Sequence, residues 1–293
     1  LDNEPAAMAN RAWLLFKPWE IADPVRACQT AFDWVALVGA DKAAIEAHML
    51  PWTQIKVVDC LMGVHAGQTP HTPTPQDMEM VFALARSAAD RGDPAGDYAI
   101  GQVYHFGGGG VVVNREEAVK SYETCAAAGF NPCDWRLGNI YAYGELGYEK
   151  DLAKGVGHYK ACAQAGNFEC DARLGILYRE NKSIDLTEEQ ALAHLRKAAE
   201  AGISLAAENL GYSYYRGDHG LKVNMDEAAV WLIRSMTLPG GAAVRDWLAG
   251  KPEALPDPNF WKAAHTELTR LGVYSGKIAS KANSETVAAL FKL

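Results

Sequence analysis

The stretches YETCAAAGFNPCDWRLGNIY (122–141) and YKACAQAGNFECDARLGILY (159–178) are two copies of one unit. Tyrosine, cysteine, glycine, a second cysteine, a Leu-Gly pair and a closing tyrosine recur with a step of 37 residues. The register extends in both directions. Ile100-Gly101 and Leu210-Gly211 match Leu137-Gly138 and Leu174-Gly175. Tyr104 and Tyr214 match Tyr141 and Tyr178, and Gly92 and Gly202 match Gly129 and Gly166. Self-similarity at this spacing means a stack of supersecondary units.

Each unit reads as two helices. The first carries Leu-Gly and Tyr at helical spacing. Glycine there costs about 1 kcal/mol against alanine, so its use implies close helix contact. The second runs from a small residue (Ala118, Gly155, Ala191, Ala228) past an apolar one (Tyr122, Tyr159, Leu195, Leu232) to the terminal glycine. That glycine suits a left-handed C′ position. The loop between the helices holds glycines at 107–110, 144 and 217, whereas the third copy, ENKSIDLTEE (180–189), has none. No unit buries its apolar face alone, so neighbours must stack. The expected fold is all-α: a superhelical α/α solenoid of helix hairpins with a concave surface and a helical cap at each end.

The pattern LG-x-x-Y, the turn Gly107, Gly109, Val111, and the AA-x-x-G endings (Ala88, Ala89, Gly92; Ala198, Ala199, Gly202) resemble the Sel-one-like repeat (SLR) family, a relative of the tetratricopeptide repeat. The resemblance covers residues 78–241. Cys125 and Cys162 fall in second helices, and Cys133 and Cys170 in the following first helices. In the other copies the same two positions are Ala88/Gly96, Ala198/Ala206 and Ser235/Ala243, all small. Two small sites that acquire cysteine together point to contact and to disulfides 125–133 and 162–170, with buried reduced thiols as the alternative. Cys28 and Cys60 remain and are paired by elimination. Zinc is disfavoured, since C-x-x-C spacing is absent and no histidine recurs with the cysteines.

The 293 residues are 49% apolar and 22% charged, with a net charge of −8. That balance argues against a nucleic-acid partner. No apolar run reaches the ~20 residues of a membrane span. Three disulfides imply an oxidising compartment. The chain begins at Leu1, consistent with a cleaved signal peptide or a trimmed terminus. The resemblance implies a bacterial protein, so the expected location is periplasmic or secreted.

Four segments are expected: an N-terminal helical cap at 1–65, a linker at 66–77, the repeat array at 78–249 and a C-terminal helical module at 258–293. Trp13, Trp19, Trp34 and Trp52 enrich the cap in aromatic residues and read as core or cap contacts. The linker AGQTPHTPTPQD (66–77) is turn-rich, and GKPEALPDPN (250–259) reads as a second linker. The tail motif L-x-x-LG-x-Y-x-G-x-I (Leu268, Leu271, Gly272, Tyr274, Gly276, Ile278), followed by Thr286, Ala289 and Leu290, resembles the three-helix peptidoglycan-binding module of bacterial envelope proteins. The usual Asp-Gly turn is replaced by Ala279-Ser280, which weakens the case for glycan contact.

No catalytic constellation stands out. The glycine run 107–110 follows no strand and precedes no Lys-Ser/Thr, so it is an inter-helix turn and not a phosphate loop. The G-x-S-x-G, H-E-x-x-H and S-x-x-K motifs are missing from the sequence. His65 and His71 form no metal pattern. His158 and His194 hold equivalent repeat positions and read as solvated. Glu116-Glu117 and Glu188-Glu189 fall at second-helix starts, where acids favour the dipole.

What remains is surface recognition. In solenoids of this class the first helices line the concave face. The positions expected there are Tyr98, Gln102, His105, Trp135, Asn139, Arg179, Glu208, Tyr212 and Tyr215. Tyr, Trp and Arg dominate binding hot spots. With no catalytic or metal pattern in the sequence, the expectation is a non-catalytic chain without cofactor or metal, and the capped ends argue for a monomer. The resemblance implies a protein that binds another protein. Its most concrete version is an immunity protein against a type VI secretion effector toxin. The alternatives are a cell-wall-associated envelope scaffold and a secreted host-factor-binding virulence protein.

Overall fold

The computed structural model describes Cys28, Thr30, Asp33, Trp34, Leu37, Ala43, Ile45 and residues 51–61 and 74–293. Trp13, Trp19, the ring of Trp52, His48, His65, His71 and residues 66–73 of the linker lie outside the described residues. The chain forms two compact units, residues 1–140 with 144–149, and 141–143 with 150–293.

The first unit contains α1 (Pro51–Leu61), α2 (Pro75–Asp90), α3 (Ala95–Phe106), α4 (Arg115–Ala127) and most of α5 (Asn131–Tyr143). The second contains α6 (Leu152–Gln164), α7 (Phe168–Glu180), α8 (Glu188–Glu200), α9 (Ser204–Arg216), α10 (Met225–Thr237), α11 (Ala242–Gly250), α12 (Pro258–Arg270) and α13 (Ser284–Leu290). No β-strand occurs among the described residues, only a single bridge between Gly108 and Val111. The helix pairs α3/α4, α7/α8 and α9/α10 pack as hairpins within their units, and α5 followed by α6 is the corresponding pair in sequence; the fold is an α/α solenoid.

The second helix of every repeat opens on a side chain that replaces a missing backbone partner. Asn114, Asp151, Thr187 and Asn224 accept from the N–H of Glu117, Lys154, Gln190 and Glu227 at 2.9–3.2 Å. Three of these caps also donate their own N–H back to a repeat tyrosine carbonyl: Asn114 to Tyr104, Asp151 to Tyr141 and Asn224 to Tyr214, at 2.8–2.9 Å. The third repeat breaks this pattern. Thr187 instead forms a capping box with Gln190, and the turn is organised by Asn181, whose Oδ1 accepts from Ser183 N at 2.9 Å. Each second helix that ends on a repeat glycine does so as expected: Gly92, Gly129, Gly166 and Gly202 all have φ between 81° and 92°.

The interior glycines are contact points. A Cβ on Gly101 would lie 2.6 Å from the Tyr122 ring, one on Gly175 2.8 Å from Leu195 Cβ, and one on Gly211 2.7 Å from Leu232 Cγ. Tyr122 and Leu195 are fully buried and Leu232 nearly so. In these three repeats the apolar residue of the second helix therefore fills the space vacated by the glycine of the first.

The cysteines are paired as their register requires. Cys125–Cys133 joins α4 to α5, with Cα atoms 6.1 Å apart. Cys162–Cys170 joins α6 to α7 at 5.9 Å, and Cys28–Cys60 closes at 5.4 Å. The equivalent Ala198 and Ala206 are both fully buried. The last copy departs: Ser235 is buried but Ala243 is exposed, because Pro239-Gly240-Gly241 redirects the chain and Gly241 takes the place against Ser235.

In the first unit Cys28, Trp34, Ile45, Val57, Cys60 and Leu61 share one core with Met78, Val81, Leu84, Ile100 and Val103. In the second a single core runs from Leu232, Ile233 and Met236 of α10 to Phe260, Trp261 and Leu268 of α12 and Leu290 of α13. The stretch 250–259 is thus no free linker. Leu255 is 3% exposed, and its carbonyl accepts the Trp261 indole N–H at 2.8 Å.

The tail has two helices among residues 258–293, not three. His265 explains why residues 271–283 stay ordered without a helix. Thr286 Oγ1 donates to Asn283 Oδ1 (2.9 Å) and accepts from Asn283 N (3.0 Å). It can therefore only accept from His265 Nε2, 2.6 Å away. That fixes the Nε2–H tautomer and leaves Nδ1 to accept from Ala279 N at 3.1 Å. Tyr274 stacks on the ring at 4.7 Å. Leu271 and Ile278 of the tail motif are 37% and 55% exposed.

Candidate protein-binding faces

In the second unit, Glu208, Tyr212, Tyr215 and Arg216 lie on α9 and Arg179 on α7. Tyr212 is half-buried. The Arg216 guanidinium sits 5.1 Å from its ring centroid, and Trp247 of α11 meets it edge-on at 6.3 Å. Trp247 itself is 40% exposed. Burial raises the Glu208 carboxyl above its ordinary value, with Arg179 pulling the other way. Burial, then Glu208, pushes the Tyr212 hydroxyl up to about 12. Tyr215 instead turns inward and packs edge-on against Phe260 at 5.8 Å.

In the first unit the expected residues divide. Tyr98 is half-buried against Tyr122 (6.0 Å) and Phe130 (5.7 Å), and accepts from Gln102 Nε2 at 3.2 Å. His105 and Asn139 are buried, at 9% and 4% exposure, so these two offer little surface. His105 Nδ1 lies 3.4 Å from the Tyr122 hydroxyl and Nε2 3.7 Å from Glu145. Burial, helped by Arg136, lowers the imidazole pKa to about 4. Trp135 is half-buried beneath the Arg136 guanidinium, which lies 4.5 Å from its ring and 5.0 Å from that of Phe106.

Buried histidine sets a pH dependence. His105 and His265 both have lowered folded pKa values. Folded protein therefore binds fewer protons than the unfolded chain below the ordinary value of 6.5. Their contribution is intact above that pH, falls as pH drops below it, and for His105 levels off below about 4. Urea midpoints measured between pH 7 and pH 4 should decline less steeply in His105→Gln than in the parent. Parallel curves would contradict the assignment.

Some residues carry structure that sequence reading missed. His158 and His194, expected as solvated, are engaged. His158 stacks on Tyr141 at 5.8 Å. His194 Nδ1 lies 2.6 Å from Oδ1 of Asp171, a fully buried carboxylate. Lys197 lies 2.8 Å from the other oxygen, as an ion pair without hydrogen-bond alignment. Asp171→Ala removes the buried member and leaves partners that solvent can reach, so the loss is that of the charged hydrogen bond, about 1.5–3 kcal/mol in urea titration. His219, at φ 56°, ties the last turn to α7 through Nε2 and the Gly175 carbonyl at 3.1 Å.

The glycine-free turn 180–187 and α6 enclose an open groove of about 490 Å³, floored by Leu152, Val156 and Ile184. Lys160 bridges its rim to Asp185 at 2.7 Å. Among the described residues no three His, Cys, Asp or Glu side chains gather as a metal site, and no helix is long and apolar enough to cross a membrane.

The hairpin register, the glycine contacts and the stapled neighbours define an α/α repeat protein. A model of the Sel1 repeat matches residues 94–129, 132–167, 171–203 and 204–235. Those residues carry four copies that match the Sel1 repeat. The crystal structure of a Sel1 repeat protein from Oxalobacter formigenes is 25% identical, covering 80% of this chain and 88% of that one with a TM-score of 0.60. Immunity protein Pa5087 from Pseudomonas aeruginosa is 18% identical over 68% of this chain and 69% of that one, TM-score 0.47. The protective antigen c5321 of uropathogenic Escherichia coli is 18% identical over 92% and 69%, TM-score 0.36. No curated protein matches the chain.

Proposed function

We propose that the chain is a non-catalytic protein-binding scaffold that works outside the cytoplasm, and that its first-helix faces grip the partner. Sel1 repeats are protein-interaction modules. The observation that carries the reading is the Tyr212 patch: an aromatic ring held between Arg216 and Trp247, with Glu208 one turn earlier. Such a cluster is partly desolvated already and fixed in place, so binding costs little further ordering. The three disulfides support an oxidising compartment such as a bacterial periplasm.

As partner we propose an antibacterial effector of type VI secretion, which the immunity protein neutralises. A small, cross-linked, partner-specific binder suits that role. The test is calorimetry against effectors encoded beside the gene, with growth competition between strains that keep or lack it. Trp247→Ala and Tyr212→Ala should each weaken binding at least tenfold, about 1.4 kcal/mol or more. Tyr212→Phe, which keeps the packed ring, controls for folding. Full affinity in both alanine variants would move the interface elsewhere. Equal survival of the deleted strain beside an effector-armed competitor would remove the immunity role.

A further inference from the structure

Arg136 is an unspent group of the first unit. Its guanidinium is sandwiched by Trp135 (4.5 Å) and Phe106 (5.0 Å), and Phe106 is 56% exposed. Among the described residues no carboxylate pairs with it, and none of its N–H groups has an acceptor. Its Nε and the neighbouring Trp135 Nε1 are both buried without a hydrogen-bond partner. Arginines enclosed to this degree are ordinarily paired. Flanking rings hold the plane of the fork and lower the entropy lost on engagement.

We propose that Arg136 is the docking point for a carboxylate side chain carried by the partner protein. The planar fork matches a carboxylate through two parallel N–H···O bonds. The surroundings favour one negative charge over two. His105 stacks on Phe106 at 4.3 Å and stays neutral at physiological pH, so it adds no second cation beside Arg136. Glu145 stands 3.7 Å from that imidazole and opposes a phosphate dianion. With the chain at −8, long-range attraction to an acidic partner is absent. The recognition is a short-range one, made after the surfaces meet. The proposal rests on the protein-binding reading only for the source of the carboxylate.

The test uses full-length ¹⁵N-labelled protein titrated at constant ionic strength with acetyl-Glu-Gly-amide, its lysine counterpart and inorganic phosphate. The glutamyl peptide should shift the Arg136 Nε–H and Trp135 Nε1–H resonances saturably, and the lysyl peptide should not. Arg136→Gln should abolish the shift at Trp135. Arg136→Lys, which keeps the charge but not the fork, should weaken it about fivefold. Unmoved resonances in the parent protein, or the same Trp135 shift in Arg136→Gln, overturn the proposal. Tighter saturation by phosphate overturns the choice of a carboxylate. Because the probe is a small peptide, the result stands apart from the search for a partner. A failed growth competition leaves it intact, and a failed titration leaves the binding function intact.

Discussion

Replacing Cys125, Cys133, Cys162 and Cys170 together by alanine should lower stability by about 4–6 kcal/mol, read from urea midpoint and slope together. Each bridge spans a sequence separation of 8. A closed loop of that size contributes about 2–3 kcal/mol in the chain-entropy model. Alanine is the apt replacement because another copy of the repeat already places alanines at both sites, Ala198 and Ala206, fully buried and without strain. The loss then reports the cross-links and not a misfit side chain. Since a domain holds only about 5–15 kcal/mol in all, the four-alanine protein should be marginal at 37 °C. An unchanged midpoint would mean that the helices are held by packing alone.

The second prediction turns on a sign. Gly175→Ala exchanges a poor helix former for the best one and would stabilise an ordinary helix by about 1 kcal/mol. Here it should destabilise by about 1–3 kcal/mol. The new Cβ would lie 2.8 Å from Leu195 Cβ and 3.0 Å from the Ala191 carbonyl oxygen. One obstacle is backbone and the other is the root of a fully buried side chain, so neither can swing away. Valine at the same position should cost more. A thermal-denaturation series of Gly, Ala and Val at 175 checks the order. Higher stability in the alanine variant would show that the two helices have room to part.

The residues that made the fold legible are those that recur. Gly101, Gly175 and Gly211, with Tyr122, Leu195 and Leu232, could be read as contact pairs because both members keep step. The cysteines could be read because their positions are small in every copy. Asp171 escaped notice for the opposite reason. The matching position in the preceding copy is also aspartate, Asp134, and nothing in the local pattern marks Asp171 as facing a histidine and a lysine one helix away. His265 belongs to no repeat, and its role rests on Ala279 and Thr286, 14 and 21 residues on. The four N-caps were legible in principle, as Asn, Asp, Thr and Asn at a steady interval, three of them before acid-rich starts. His105 was placed on the open face by helical phase alone. Its neighbour Tyr122 draws the ring inward, where phase cannot follow.

The two bridges of the array join the second helix of one repeat to the first helix of the next, never the two helices of a single hairpin. Arrays of this kind normally fray from an end, one hairpin after another, each step governed by its nearest-neighbour interface. Here fraying would be arrested where the interface is a covalent bond. Limited proteolysis in oxidising buffer should accordingly leave a resistant fragment that includes residues 122–178, and the same digestion after reduction should not.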